Sequence, residues 1–267
     1  IGAFNNRTNE NFTSIQAAIN DTDTRDGDTI LLRDGTYTEN IIVTKRLTIK
    51  PVDGDNVIIQ AAESDDESDE VDIITITSTG SGSIIQCLNI KGTPDAYGIF
   101  LDTANNCNIN GNTITDTDCG IYLFMSNNNT IIGNIIRDNY YGIGLYNSSS
   151  NSLSGNNITD NYYGIYLISS NITVISGNNI ADNWDGIQLY QSNNTILSSN
   201  YVNGNWIGTY LFNQNNTTIT GNTITDNGCG ICYYKSNNTS TSGNNVTDNW
   251  ITNVSTIDSD DIVIATT

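Results

Sequence analysis

The sequence predicts an all-β chain: a right-handed single-stranded parallel β-helix, or solenoid, with 22-residue coils and a short N-terminal capping helix. A glycine recurs at that interval, from Gly98 through Gly120, Gly142, Gly164, Gly186 and Gly208 to Gly230. Ile follows each of these except at Thr209, and two residues further stands Leu, from Leu101 to Leu211, and then Tyr233. Helix-forming Lys, Glu, Ala and Leu are sparse, whereas Asn, Gly, Thr and Ile in alternation suit short strands joined by turns.

The unit reads G-I-x-L-x-x-S-N-N-x-x-I-x-G-N-x-I-x-D-N-x-x and runs through seven coils without an insertion. Its apolar positions are the second, fourth, twelfth and seventeenth. The second and fourth share one face of a strand, because alternate residues of a strand point the same way. The other two belong to two further strands. One unit cannot bury its own apolar residues; stacked units can, with equivalent residues about 4.8 Å apart. A leucine-rich helical solenoid of similar period needs a helical segment in each unit, and the Ser, Asn, Thr and Gly that fill the remainder are poor helix formers.

The predicted organisation is a single domain, with an N-terminal cap over 1–27, irregular coils with an acidic loop over 28–97, seven regular coils over 98–251 and a C-terminal cap or edge over 252–267. In the cap, Thr13 or Ser14 can start a short helix whose Ile15, Ala18 and Ile19 fall on one stripe. The end of a solenoid exposes core, and this helix would cover it. Asp26-Gly27-Asp28 and Asp34-Gly35 read as turns, and Thr29–Leu32, Asn40–Val43 and Leu47–Ile49 as strands. The run Glu63, Asp65, Asp66, Glu67, Asp69, Glu70 and Asp72 reads as a solvated loop, with weak calcium binding as the sharper alternative.

Acidic residues number 29 against 9 basic ones, a net charge of −20. That balance repels nucleic acid and anionic membrane surfaces and leaves cations, solvent and basic surfaces as counterparts. No apolar run approaches the roughly 18 residues that span a bilayer. The chain opens Ile-Gly-Ala-Phe without a recognisable leader and reads as mature or trimmed. Asn-x-Ser/Thr acceptors begin at Asn6, Asn11, Asn20, Asn128, Asn147, Asn157, Asn171, Asn193, Asn215, Asn216, Asn237, Asn238, Asn245 and Asn253. A chain rich in Asn and Thr generates some of these by chance, yet their density favours a secreted glycoprotein. Five cysteines, Cys87, Cys107, Cys119, Cys229 and Cys232, leave at least one without an intrachain partner. Cys229-Gly-Ile-Cys232 has CxxC spacing but neither a thioredoxin-like context nor a second pair for zinc.

The stretch from Ser14 to Pro51, S-I-Q-A-A-I-N…D-G-D-T-I-L-L-R-D-G-T-Y-T-E-N-I-I-V-T-K-R-L-T-I-K-P, resembles the opening of pectin-lyase-like β-helix proteins. The 22-residue units resemble the repeats of NosD-like proteins and of adhesin-like surface proteins of methanogenic archaea. The resemblance covers nearly the whole chain and is specific for fold rather than function. Its lyase members imply calcium-binding Asp residues with a basic proton acceptor, and its NosD side implies copper. This chain has no His and a single Met, Met125, which does not suit copper. Its regular coils hold two bases, Arg137 and Lys235, about 20 Å apart at the strand spacing.

Asp116, Asp138, Asp160, Asp182, Asp226 and Asp248 occupy one position of the repeat. They suit cation binding or glycoside chemistry, or else a corner whose side chains bond the backbone of each turn, the reading favoured here. Asn139, Asn161, Asn183, Asn205, Asn227 and Asn249 follow them and can stack as an amide ladder. The irregular Asp102, Asp118, Arg137, Asp185 and Lys235 do not converge by coil arithmetic. A third aromatic group, Tyr140, Tyr141, Tyr162, Tyr163, Trp184, Trp206 and Trp250, sits just before the repeat glycine.

The expectation is therefore an extracellular structural or adhesive cell-surface glycoprotein, not an enzyme, without a resident cofactor though calcium is possible. Its partners would be itself or other envelope proteins, with polysaccharide binding or cleavage as the alternative. Tyr122, Phe124, Tyr146, Tyr166, Tyr190, Tyr210 and Phe212 should share one outer sheet as an interface, covered by another chain or by the C-terminal segment from Ile257 to Thr267.

Overall fold

The computed structural model describes residues 2–62, 72–260 and 262–266. The acidic positions from Glu63 to Glu70 lie outside the described residues; Asp72 lies within them and accepts a hydrogen bond from Thr75 Oγ1 at 3.2 Å.

Each regular coil makes three strands. A six-residue strand, such as Cys119–Phe124, belongs to a first sheet; Thr130–Ile132 belongs to a second and Ile135–Arg137 to a third. The first sheet has ten parallel strands, running from Ile41–Val43 to Thr252–Ile257. The register is the repeat itself: Ile99 pairs with Ile121, Ile121 with Ile143 and Ile143 with Ile165. The second and third sheets join near the end through the long strand Thr239–Thr247, which pairs with both Thr218–Thr220 and Thr223–Thr225.

The in–out assignment holds at all four apolar positions. Ile121, Leu123, Ile131 and Ile136 are fully buried, as are their equivalents Ile165, Leu167, Ile175 and Ile180 two coils on. The repeat glycine is required by close stacking. A Cβ at Gly164 would stand 2.5 Å from the carbonyl oxygen of Gly186.

The corners turn by left-handed residues and are held by amides. Asp116, Asp138, Asp160, Asp182, Asp226 and Asp248 have φ between 55° and 60°, a conformation that Asp and Asn tolerate better than most residues. The stacked Asn residues do the hydrogen bonding. Oδ1 of Asn178 accepts from both the backbone and the side-chain N–H of Asn156 at 2.9 Å, and its own Nδ2 donates to the Leu153 carbonyl at 3.0 Å. A second ladder runs from Asn139 through Asn161, Asn183 and Asn205 to Asn227 and Asn249. Both satisfy backbone groups that three short strands per coil would otherwise leave unpaired.

At the N-terminal end, Ser14 caps the helix Ile15–Asn20, its Oγ accepting from Ala17 N at 3.0 Å, and Ile15, Ala18 and Ile19 are buried over the core. The Glu39 carboxylate accepts from the next two open amides, Ile15 N and Gln16 N, each at 3.0 Å. The sequence reading of the cap lacked two strands: Ala3–Asn5 runs antiparallel to both Glu10–Phe12 and Thr29–Leu32. Gly35, read as a turn, begins the strand Gly35–Thr38. Arg7 Nε meets Asp28 at 2.7 Å, and this pairing holds the buried carboxyl well below the usual carboxylate range. At the other end, the strand Ile262–Thr266 pairs in parallel with Thr239–Thr247. The C-terminal segment thus continues the solenoid on the second sheet and does not cover the aromatic face, a correction to the expectation above. Edge pairing supplies backbone hydrogen bonds that lying across the rings would not.

Candidate interaction face

Strand alternation turns the third and fifth coil positions outward on the first sheet. One column runs Phe100, Tyr122, Gly144, Tyr166, Gln188 and Tyr210. The next runs Phe124, Tyr146, Ile168, Tyr190, Phe212 and Tyr234. All seven residues expected on this face are on it. Tyr146 is exposed and the other six are half-buried, because the rings cover one another. Phe124 stacks on Tyr146 at 5.7 Å and Phe212 on Tyr234 at 5.4 Å, with interplanar angles of 9° and 14°.

A further ladder lies along the corner where the third sheet turns into the first. Tyr140 and Tyr162 stack at 4.9 Å, Tyr162 and Trp184 at 5.8 Å, and Trp184 and Trp206 at 5.5 Å, all within 15° of parallel. These four side chains are between 41 % and 51 % exposed. Rings stacked along the solenoid axis hide their planes in one another and offer solvent their edges.

Two breaks interrupt the rings. Gly144 leaves a cleft of about 190 Å³ among Tyr97, Cys119, Tyr122, Tyr141, Tyr146 and Tyr166, with Asp118 also on its lining. Burial pushes the Cys119 thiol and the Tyr141 phenol upward. Two coils on, Asp185 and Gln188 replace rings and are each 5 % exposed. Gln188 Nε2 donates to Asp185 Oδ2, while Oδ1 has no hydrogen-bond partner. Burial lifts the Asp185 carboxyl to about 6 against the opposing effects of Gln188 and the Ile207 amide. Sequence reading marked Asp118 and Asp185 as irregular; what it missed is that both sit among rings on the same face.

The remaining candidates scatter. Arg137 lies on the third sheet beside Asp138, with which it forms an ion pair, and Lys235 lies just past the first sheet with its ammonium over the Tyr234 ring. Of the Asp-Asn corner, the Asn side chains bond the turn backbone as expected, Asn139 Nδ2 donating to the Arg137 carbonyl at 2.9 Å, but the Asp side chains do not. Asp116 instead meets Thr115 and Lys91, and Asp226 accepts from Asn203 at 2.9 Å. Left-handed geometry rather than side-chain bonding accounts for Asp there. Among the described residues, one set of carboxylates is close enough to share a cation, Glu10, Asp21 and Asp23 in the cap, with oxygens within 4.8 Å of one another.

Residues 19–187, more than half of the chain, match the family model described as periplasmic copper-binding protein (NosD), and residues 141–266 match that of the right-handed β-helix region. The chain belongs to the NosD family. It is also similar to a cell surface glycoprotein of Methanothermus fervidus, 37 % identical over 110 residues, which is 41 % of this chain. The chain spans 17 % of the length of that relative. Among solved structures it resembles an alginate lyase from a Paenibacillus species, with a TM-score of 0.67, 18 % identity and coverage of 92 % of this chain and 95 % of the other. It also resembles a bacteriophage CBA120 tailspike domain, with a TM-score of 0.66, 13 % identity and coverage of 85 % and 40 %. At those identities the likeness shows the right-handed β-helix fold alone. Among the described residues, no helix is long and apolar enough to cross a membrane.

The copper in the NosD description finds no suitable donors in this member. Copper sites use His, Met or Cys. His is absent, and Met125 stands exposed at a corner. Cys229 is bonded to Cys232, Cys107 and Cys119 are buried apart, and Cys87 is exposed on another corner. This NosD chain does not present a copper centre, and no chemistry is assigned through one.

Proposed function

We propose that this chain is a structural or adhesive module of an extracellular cell-surface glycoprotein that packs laterally against copies of itself or neighbouring envelope proteins, without a catalytic role or a resident cofactor. The observation that carries this reading is the stacking of outward rings along the solenoid axis, unbroken from Tyr140 to Trp206 at the corner and in separate pairs on the first sheet. A sugar stacks on an open aromatic plane, and here most planes are already stacked on each other. What is left is a ribbed apolar surface of the kind proteins cover. Likeness to a cell surface glycoprotein supports the location.

A polysaccharide-binding module is the second reading, favoured by the cleft at Gly144, where the ring column is open. Size-exclusion chromatography with light scattering tests the first. With net charge −20, copies repel, so association should rise when salt screens that repulsion at about 0.5 M. The triple variant Tyr146→Ser, Tyr190→Ser, Phe212→Ser should stay monomeric throughout. A wild-type chain that remains monomeric and is retarded on an oligosaccharide column, with retardation lost in Tyr166→Ala, would transfer the assignment to the second reading.

A further inference from the structure

We infer that the N-linked glycans of this chain form a single stripe along the corner between the first and second sheets, and that the opposite, aromatic corner is bare. This rests on the surface-glycoprotein reading and adds where the sugars stand.

The Asn residues divide into two classes. Those of the buried ladders, such as Asn134, Asn156, Asn178 and Asn200, or Asn161, Asn183 and Asn205, donate Nδ2 to a carbonyl of the preceding coil. None of them begins an Asn-x-Ser/Thr acceptor, because two residues on stands a core Ile or Val, or else Tyr163, Asp185 or Ile207 at the start of a first-sheet strand. Every Asn that does begin one is exposed or half-exposed.

The acceptors are also grouped in space. Asn128, Asn147, Asn171, Asn193, Asn215, Asn216, Asn237 and Asn238 fall in six successive coils, all in the turn between a strand of the first sheet and the next strand of the second. At Asn171 and Asn193, Oδ1 accepts the backbone N–H of the residue one coil on, each at 2.7 Å. That bond holds the amide by its oxygen rather than by the Nδ2 that would carry the glycan. Transfer would join Nδ2 to the anomeric carbon of a phosphate-activated glycan. The anomeric carbon–oxygen bond to phosphate breaks, the phosphate departs with the electron pair, and the amide nitrogen loses one proton. The amide oxygen remains unmodified and keeps its bond to the next coil.

The corner bearing Tyr140, Tyr162, Trp184, Trp206 and Trp250 carries no acceptor in any regular coil. Coils are about 4.8 Å apart, so glycans on the stripe crowd one another and stand out from the solenoid as a fringe. A partner then reaches the rings from the tryptophan side.

Glycopeptide mass spectrometry of the natively expressed protein tests this. Modification should concentrate on peptides holding the eight corner acceptors. Glycans confined to Asn6, Asn11, Asn20, Asn157, Asn245 or Asn253, with the corner unmodified, would overturn the stripe while leaving the glycoprotein reading in place. A chain with no glycan at any acceptor would overturn the reading beneath it. As a second arm, replacing the eight corner acceptor Asn residues by Gln should remove most of the glycan mass and leave the fold, measured by circular dichroism, unchanged. Loss of only a minor part of that mass would also overturn the stripe.

Discussion

Gln188 Nε2 donates to Oδ2 of Asp185 on the same strand, and Oδ1 of that carboxylate is buried without a partner beneath tyrosine rings. The carboxyl titrates near 6 in the folded chain against an ordinary value of 3.8. An acid raised in this way holds its proton more tightly folded than unfolded. Its contribution is therefore complete below about pH 4 and is lost as pH rises through about 6. Asp185→Asn should flatten the pH dependence of Tm between those limits and raise stability at pH 7, by at most about 3 kcal/mol. An unchanged slope from pH 4 to 8 would show that Asp185 finds a partner in solution.

The two classes of Asn should separate in stability. Asn178→Ala removes the acceptor of two Asn156 N–H groups and the donor to the Leu153 carbonyl, all buried. Orphaning such groups costs about 1–3 kcal/mol each, so denaturant melts should show a loss of several kcal/mol. Asn193→Ala removes one part-exposed bond, to Asn215 N, and should cost about 1 kcal/mol or less. Equal losses would mean that the ladders are not what holds the corners.

Leu167 is fully buried between Leu145 and Leu189 of the adjoining coils. Leu167→Asp places a charge inside that stack and should abolish cooperative folding, read by circular dichroism. Leu167→Ala should fold with a loss of about 2–5 kcal/mol.

Metal chelation should leave Tm unchanged, since the Asp corners are accounted for by backbone conformation. A calcium-dependent rise in Tm, abolished by Asp21→Asn, would instead place an ion among Glu10, Asp21 and Asp23. Copper titration followed by calorimetry should show no tight site, there being no His.

The regular coils were legible because a repeat states each fact seven times over. Ile143 alone is only an apolar residue; with Ile121 and Ile165 at the same spacing it becomes a stack. The aromatic columns followed from the same register and the alternation of the strand. The Asp column was placed at a corner correctly, yet its side-chain role was not legible, because φ near 60° and a backbone hydrogen bond both favour Asp and only coordinates separate them.

By itself the sequence determined the coil, its inward and outward residues and the helix that caps it, because those depend on periodicity and on short-range spacing. The tertiary structure decided what happens where the period breaks. It paired Ala3–Asn5 with Thr29–Leu32, laid Ile262–Thr266 along the second sheet instead of over the rings, and set Asp185 and Gln188 together under them. It also gathered acceptors as far apart as Asn128 and Asn238 on one corner. Each of these depends on which residue lies above or below in the neighbouring coil, a contact that no local stretch of chain contains.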